Sequence, residues 1–172
     1  DTHVDSHEAL PTVDTDRSGL DARELVPFRS AIAEHVASVM TGHLLVPCLD
    51  PELPASLSPS VTTGLLRDVL GFGGVIVTDA VEMGAVSGAE GEALGAAVVA
   101  ALRAGADVVC LGAARQEEAF HSAAKAVMAA LDAGDLDRGL LERAAHRRSS
   151  LRTVTSTGTG TATATLPDLA AD

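Results

Sequence analysis

Apolar positions along this chain switch between a helical period and short β-branched runs, and glycines and prolines mark most of the switches. Leu25, Phe28, Ile32 and Ala33 follow helical spacing behind the acidic start Asp21-Ala22-Arg23-Glu24, which predicts an amphipathic helix ending near His35. Val36 to Val46 reads as a strand, centred on Ser38 to His43. Pro47, Pro51 and Pro54 break up the loop that follows, and Ser58 with Pro59 opens a second helix, whose stripe Val61, Leu65, Leu66, Val69 and Leu70 is stopped by Gly71. Val75-Ile76-Val77 then forms a short strand that ends on a carboxylate, Asp79. Beyond a small-residue loop through Ser87 and Gly88, a helix spans Glu92 to Ala104 and is stopped by Gly105, and a strand covers Asp107 to Gly112. Gln116 to Ala133 is the next helix, ended by Gly134, and Leu136 to about Leu151 continues helical on an arginine-rich stretch.

Strands that alternate with helices imply a parallel α/β sheet covered by helices, because parallel neighbours need crossover connections. Three convincing strands are too few to close an eight-stranded barrel, which typically takes about 250 residues. From Thr153 the chain turns into a Thr/Gly/Ala/Ser run that cannot bury a core. The expected organisation is therefore a folded unit over 1–152 and a low-complexity tail over 153–172.

Composition narrows the function classes. Hydrophobic residues make up 47% of 172 positions, which supports a packed body, yet Phe28, Phe72 and Phe120 are the only aromatic residues, so Val, Leu, Ile and Ala must build the core. A net charge of −12 and the scarcity of stacking rings both oppose nucleic-acid binding. No apolar stretch is long enough to span a bilayer. Cys48 and Cys110 lie far apart beside apolar runs and read as free buried thiols, and neither cysteine nor histidine spacing suggests a metal site. The chain opens on Asp1 rather than Met, so a truncated or processed N-terminus is expected, and localisation stays open between cytoplasm and secretion.

Two stretches could carry chemistry. Asp79 stands where a strand hands over to a loop, the position of active-site groups in β/α barrels and equally the position of a helix cap. The opening loop Asp1-Thr2-His3-Val4-Asp5-Ser6-His7-Glu8 places Asp5 two residues from His7, a pair in which the carboxylate can fix the imidazole's tautomer and raise its pKa; an acidic surface loop with incidental histidines accounts for the same residues. His43, at a strand end, either faces the same mouth or is a satisfied, partly buried histidine. Gly73-Gly74 lacks dinucleotide-binding spacing, and Arg143, Arg147, Arg148 and Arg152 fit a solvated helix face. No cofactor is implied.

Met40-Thr41-Gly42-His43-Leu44-Leu45-Val46-Pro47, Asp50 to Pro59, Gly64 to Arg67, Leu70-Gly71-Phe72 and Val77-Thr78-Asp79-Ala80-Val81-Glu82-Met83 together resemble the family 3 glycoside hydrolases, in the bacterial β-N-acetylhexosaminidase (N-acetylglucosaminidase) branch. Ala104-Gly105-Ala106-Asp107 fits the same branch, and the likeness runs from Asp1 to roughly Arg152. The resemblance implies a (β/α)8 barrel of which this chain is the C-terminal portion, and a retaining mechanism on terminal β-N-acetylglucosaminides such as cell-wall fragments. It implies Asp79 as the nucleophile, His7 as the acid/base and Asp5 as its partner within the branch's Asp-Ser-His motif, with sugar contacts at His43 and Met83. Gly73 departs from the branch's frequent Asp. The branch's Lys-His…Gly-His stretch, whose Lys and His contact the sugar, is expected immediately before Asp1, so the first half of the barrel is expected to be missing and the chain alone to be poorly active. The alternative function is a non-catalytic α/β interaction module whose unpaired strand edges receive a partner chain.

Overall fold

The structure is a computed structural model that describes residues 2, 5–6, 8–83, 86, 92–112 and 116–157, the last six as backbone alone. In chain order its main elements are α1 (Val26–Ala33), β1 (Ser38–Thr41), α2 (Ser60–Val69), β2 (Val75–Ala80), α3 (Glu92–Ala104), β3 (Val108–Cys110), α4 (Gln116–Ala133) and α5 (Arg138–Thr157). The three strands form one parallel sheet in the order β1-β2-β3. Each step between neighbours is a crossover through one helix, as the alternating pattern requires.

The helical turns before α1 begin earlier than the apolar period suggests. Asp16 caps them, accepting from the Gly19 amide at 2.7 Å, and Arg17 pairs with Asp21 one turn on at 2.9 Å. The buried residues there are Leu20 and Leu25, whereas Phe28 of the expected stripe is 43% exposed. α1 ends where His35 adopts a left-handed φ of 57°. The expected glycine stops at Gly71, Gly105 and Gly134 all have positive φ. Ser58 caps α2 through the Val61 amide at 3.3 Å, and Val69, placed in the apolar stripe by spacing, lies exposed while Thr62 is buried, donating to the Ala55 carbonyl.

β1 is shorter than the run Val36 to Val46. Beyond Thr41 the chain leaves the sheet, and Leu45 exchanges backbone bonds of 2.8 Å with Pro11 and Val13 of the opening loop. The next turn, closed by the Leu49 and Asp50 amides on the Val46 carbonyl, puts Cys48 on the surface rather than in the core.

Ile76 of β2 is fully buried against Leu66, Phe72 and Ala101, and side-chain alternation places Thr78 on that same helix-facing side. Gly74 starts the strand without a side chain because a Cβ there would lie 2.6 Å from the Ala37 carbonyl oxygen and from the Phe72 ring. At the N-terminal end of the sheet, the buried Asp107 carboxylate accepts from Arg67 at 2.5 Å, from Arg147 at 2.8 Å and from the Ile76 amide at 2.9 Å. Arg147 is therefore the anchor of α5 and not part of a solvated face, while Arg148 remains exposed. α5 continues to Thr157, five residues into the segment expected to be tail; residues 158–172 and the loop through Ser87 and Gly88 lie outside the described residues.

Candidate active site

Asp79 occupies the C-terminal end of β2, and the sheet around it is irregular. From Val77 to Ala80 the strand takes three steps while β3 takes two, from Val108 to Cys110. A bulge of this kind leaves one backbone position unpaired and re-aims nearby side chains. The hydroxyl of Thr78, fully buried, receives the Cys110 N–H at 3.0 Å in place of a backbone carbonyl. Alternation then sends Asp79 to the face opposite Thr78, where its Oδ1 accepts from the Ala80 amide at 2.8 Å.

His43 reaches the same place from the exit of β1. It is 1% exposed, with Nδ1 2.7 Å from the Ser56 hydroxyl oxygen and Nε2 3.0 Å from the Ala80 carbonyl oxygen. A carbonyl can only accept, so Nε2 carries the proton and Nδ1 accepts from Ser56. Burial pushes this imidazole below its ordinary pKa of 6.5, against the opposing pull of the Ala80 carbonyl and the nearby Asp79 charge. Both ring nitrogens are engaged inside the chain, which leaves neither for a sugar and makes His43 a bracket beneath Asp79. Met83 is also buried; its amide closes the turn after Asp79 on the Ala80 carbonyl at 3.1 Å.

The opening loop approaches this end of the sheet. Thr12 bridges Leu45 just past β1, and Asp5 heads a turn whose carbonyl accepts from the Glu8 and Ala9 amides at 3.0 and 3.1 Å. His7 lies outside the described residues. Ser56, Thr78 and Glu82 belong to the site's framework without having been singled out by sequence. A loop Ser, a strand Thr and a lone acid between apolar neighbours carry no spacing signal; only the fold brings them to Asp79. Among the described residues no group of three His, Cys, Asp or Glu is arranged to hold a metal ion, and no helix is long and apolar enough to cross a membrane. A cavity of about 530 Å³ beside His35, Gly73, His146 and Arg147 opens at the N-terminal ends of the strands, away from Asp79.

The family model for the glycosyl hydrolase family 3 N terminal domain matches residues 1–151. The chain belongs to glycoside hydrolase family 3. The solved family 3 β-N-acetylglucosaminidase from Paenibacillus sp. str. FPU-7 is similar with a TM-score of 0.85 and 40% identity, covering 100% of this chain and 32% of that one. The β-N-acetylglucosaminidase of Thermotoga maritima is similar at a TM-score of 0.75 and 30% identity, over 85% of this chain and 32% of that one. β-Hexosaminidase A of Pseudoalteromonas piscicida is 41% identical over 99 residues, 51% of this chain and 17% of the relative. The chain thus spans about a third or less of the length of these family 3 proteins.

The family 3 N-terminal domain is a TIM-type α/β fold, and the open three-stranded parallel sheet with its helices is part of such a barrel. In that fold the C-terminal ends of the strands carry the active site, whereas the opposite end serves stability. Two polar groupings divide in the same way: part-buried Asp79 with buried His43 lies at the C-terminal end, and Arg67 and Arg147 around buried Asp107 lie at the other.

Proposed function

We propose that this family 3 chain carries the nucleophile and acid/base of a retaining hydrolase acting on terminal β-N-acetylglucosaminides. The observation that carries the proposal is Asp79, a carboxylate at a strand's C-terminal end, set by a bulge and held at the adjacent residue by a buried neutral histidine. A carboxylate there attacks the anomeric carbon as the glycosidic C–O bond breaks, while the His7 imidazolium gives its proton to the leaving oxygen. The product is a glycosyl ester of Asp79. His7, now neutral, takes a proton from water, the water oxygen attacks the same carbon, and the Asp79 carboxylate departs with configuration retained. Asp5 supports the charged form of His7, two positions away in the chain.

A histidine in this role adds no second negative charge beside the nucleophile. His43 and Met83 support the floor of the site. The substrate class comes from the relatives, named β-N-acetylglucosaminidases and β-hexosaminidases. Sugar-positioning contacts supply a large part of catalysis, and this chain covers about a third of such an enzyme, so the 172-residue chain by itself turns over substrate slowly. Exposed Met40 on β1, 57% accessible, fits the inner face of an open barrel and does not require a separate binding partner. The test is turnover of an aryl N-acetyl-β-glucosaminide by the protein at its full natural length. Asp79→Ala is expected to abolish it, and unchanged turnover would remove the assignment.

A further inference from the structure

We infer that Glu82 is a positioning residue for Asp79, tying the turn beyond the nucleophile to the exit of β3; the inference rests on the reading of Asp79 given above. After Asp79 the chain turns at once, with the Met83 amide on the Ala80 carbonyl at 3.1 Å and the Val81 amide on the Cys110 carbonyl at 3.1 Å. Val81 and Met83 are buried, so the turn points its apolar residues inward and carries one charged side chain, Glu82. That carboxylate reaches thirty positions along the chain, where its Oε2 accepts the Gly112 N–H. A backbone amide bound by a carboxylate makes a charge-assisted bond, stronger than one between neutral partners.

Gly112 is matched to this contact. A Cβ on residue 112 would stand 3.0 Å from Glu82 Oε2 and 3.3 Å from its Cδ, so the carboxylate approaches the amide through the space a side chain would fill. The turn is consequently gripped from two sides: His43 holds the Ala80 carbonyl from the exit of β1, and Glu82 with Val81 holds the exit of β3. Asp79 immediately precedes the gripped turn, with its Oδ1 on the Ala80 amide. Loss of the Glu82 grip lets the turn shift against β3, and a nucleophile displaced by a fraction of an ångström loses transition-state alignment while substrate still binds.

The experiment measures steady-state kinetics on an aryl N-acetyl-β-glucosaminide and thermal melting, using the full natural-length protein and its Glu82→Ala, Glu82→Gln, Gly112→Ala, Glu82→Ala/Gly112→Ala and Asp79→Asn variants. Glu82→Ala is expected to lower kcat by about 10- to 100-fold with KM within about threefold, since a misplacement near 1 Å costs on the order of 100-fold. Glu82→Gln keeps an acceptor oxygen and should restore kcat to within about threefold of the parent. Gly112→Ala should mimic Glu82→Ala, and the double variant should be no worse than Glu82→Ala, because the two changes break one contact. If Glu82→Ala fails to melt cooperatively, Glu82→Gln and Gly112→Ala carry the comparison. An unimpaired kcat in Glu82→Ala, or in Gly112→Ala where that variant stands in for it, overturns the inference, as does a Glu82→Gln variant impaired like the alanine. Turnover retained by Asp79→Asn instead overturns the nucleophile reading, whereas a dead Asp79→Asn beside an unimpaired Glu82→Ala overturns only the role of Glu82.

Discussion

The Nε2–H of His43 donates to the Ala80 carbonyl at 3.0 Å, one residue beyond Asp79 and thirty-seven positions along the chain. The bond fixes the backbone that presents the carboxylate, and burial keeps the ring neutral, so that Nδ1 accepts from the Ser56 hydroxyl.

That burial gives stability a pH dependence. His43 has a folded-state pKa below its ordinary 6.5, so at pH values between the two the unfolded chain binds more protons than the folded one. Its contribution is present above pH 6.5 and is lost as pH falls through 6.5 toward the lower folded value. Urea midpoints measured from pH 7.5 downward should fall more steeply for the parent than for His43→Gln. Parallel slopes would show that the histidine's titration is not linked to folding.

Thr78 offers a second test, at the bulge. Thr78→Val leaves the Cys110 amide without its acceptor in a fully buried place, which should cost about 1–3 kcal/mol, while Thr78→Ser keeps the hydroxyl and should lose less. Chemical denaturation of the three proteins makes the comparison.

The cluster at the other end of the sheet predicts a larger loss. Asp107→Ala strands the Arg67 and Arg147 guanidinium groups and frees the Ile76 amide, and breaking such a buried pair typically costs about 3–5 kcal/mol. Because Arg147 anchors α5, amide exchange in Ala144 to Leu151 should accelerate in this variant ahead of exchange in β2. Uniform acceleration would mean that α5 has no separate dependence on the pair.

Two neighbouring glycines should respond oppositely. Gly71 has a φ of 70° and open space around its missing Cβ, so Gly71→Ala should destabilise by about 1–2 kcal/mol through backbone conformation alone. Gly73 also has open space and no positive φ, so Gly73→Ala should be neutral or stabilising by up to about 1 kcal/mol. Thermal midpoints distinguish the two.

Much of the scaffold was legible because it is encoded locally. Glycine stops at Gly71, Gly105 and Gly134, the Ser58 cap and the β-branched run Val75-Ile76-Val77 each act within a few residues. Leu44 to Val46 misled as strand because the apolar run continues there; what ends β1 is pairing with the opening loop, a contact outside any local window. Arg147 looked like one more solvated charge since its partner, Asp107, sits forty positions earlier. Asp79 was visible as a carboxylate closing a buried strand, but the supports supplied by Ser56, Thr78 and Glu82 are non-local and exist only once β1, β2 and β3 are side by side.

The central claim is that Asp79 forms the covalent bond to the sugar. Rapid quenching of the natural-length protein during turnover of an activated N-acetyl-β-glucosaminide, followed by peptide mass analysis, tests it directly. The account predicts an added N-acetylhexosaminyl mass on the peptide containing Asp79, absent in Asp79→Asn. An adduct on a different carboxylate, or full turnover with retained configuration in Asp79→Asn, would contradict it.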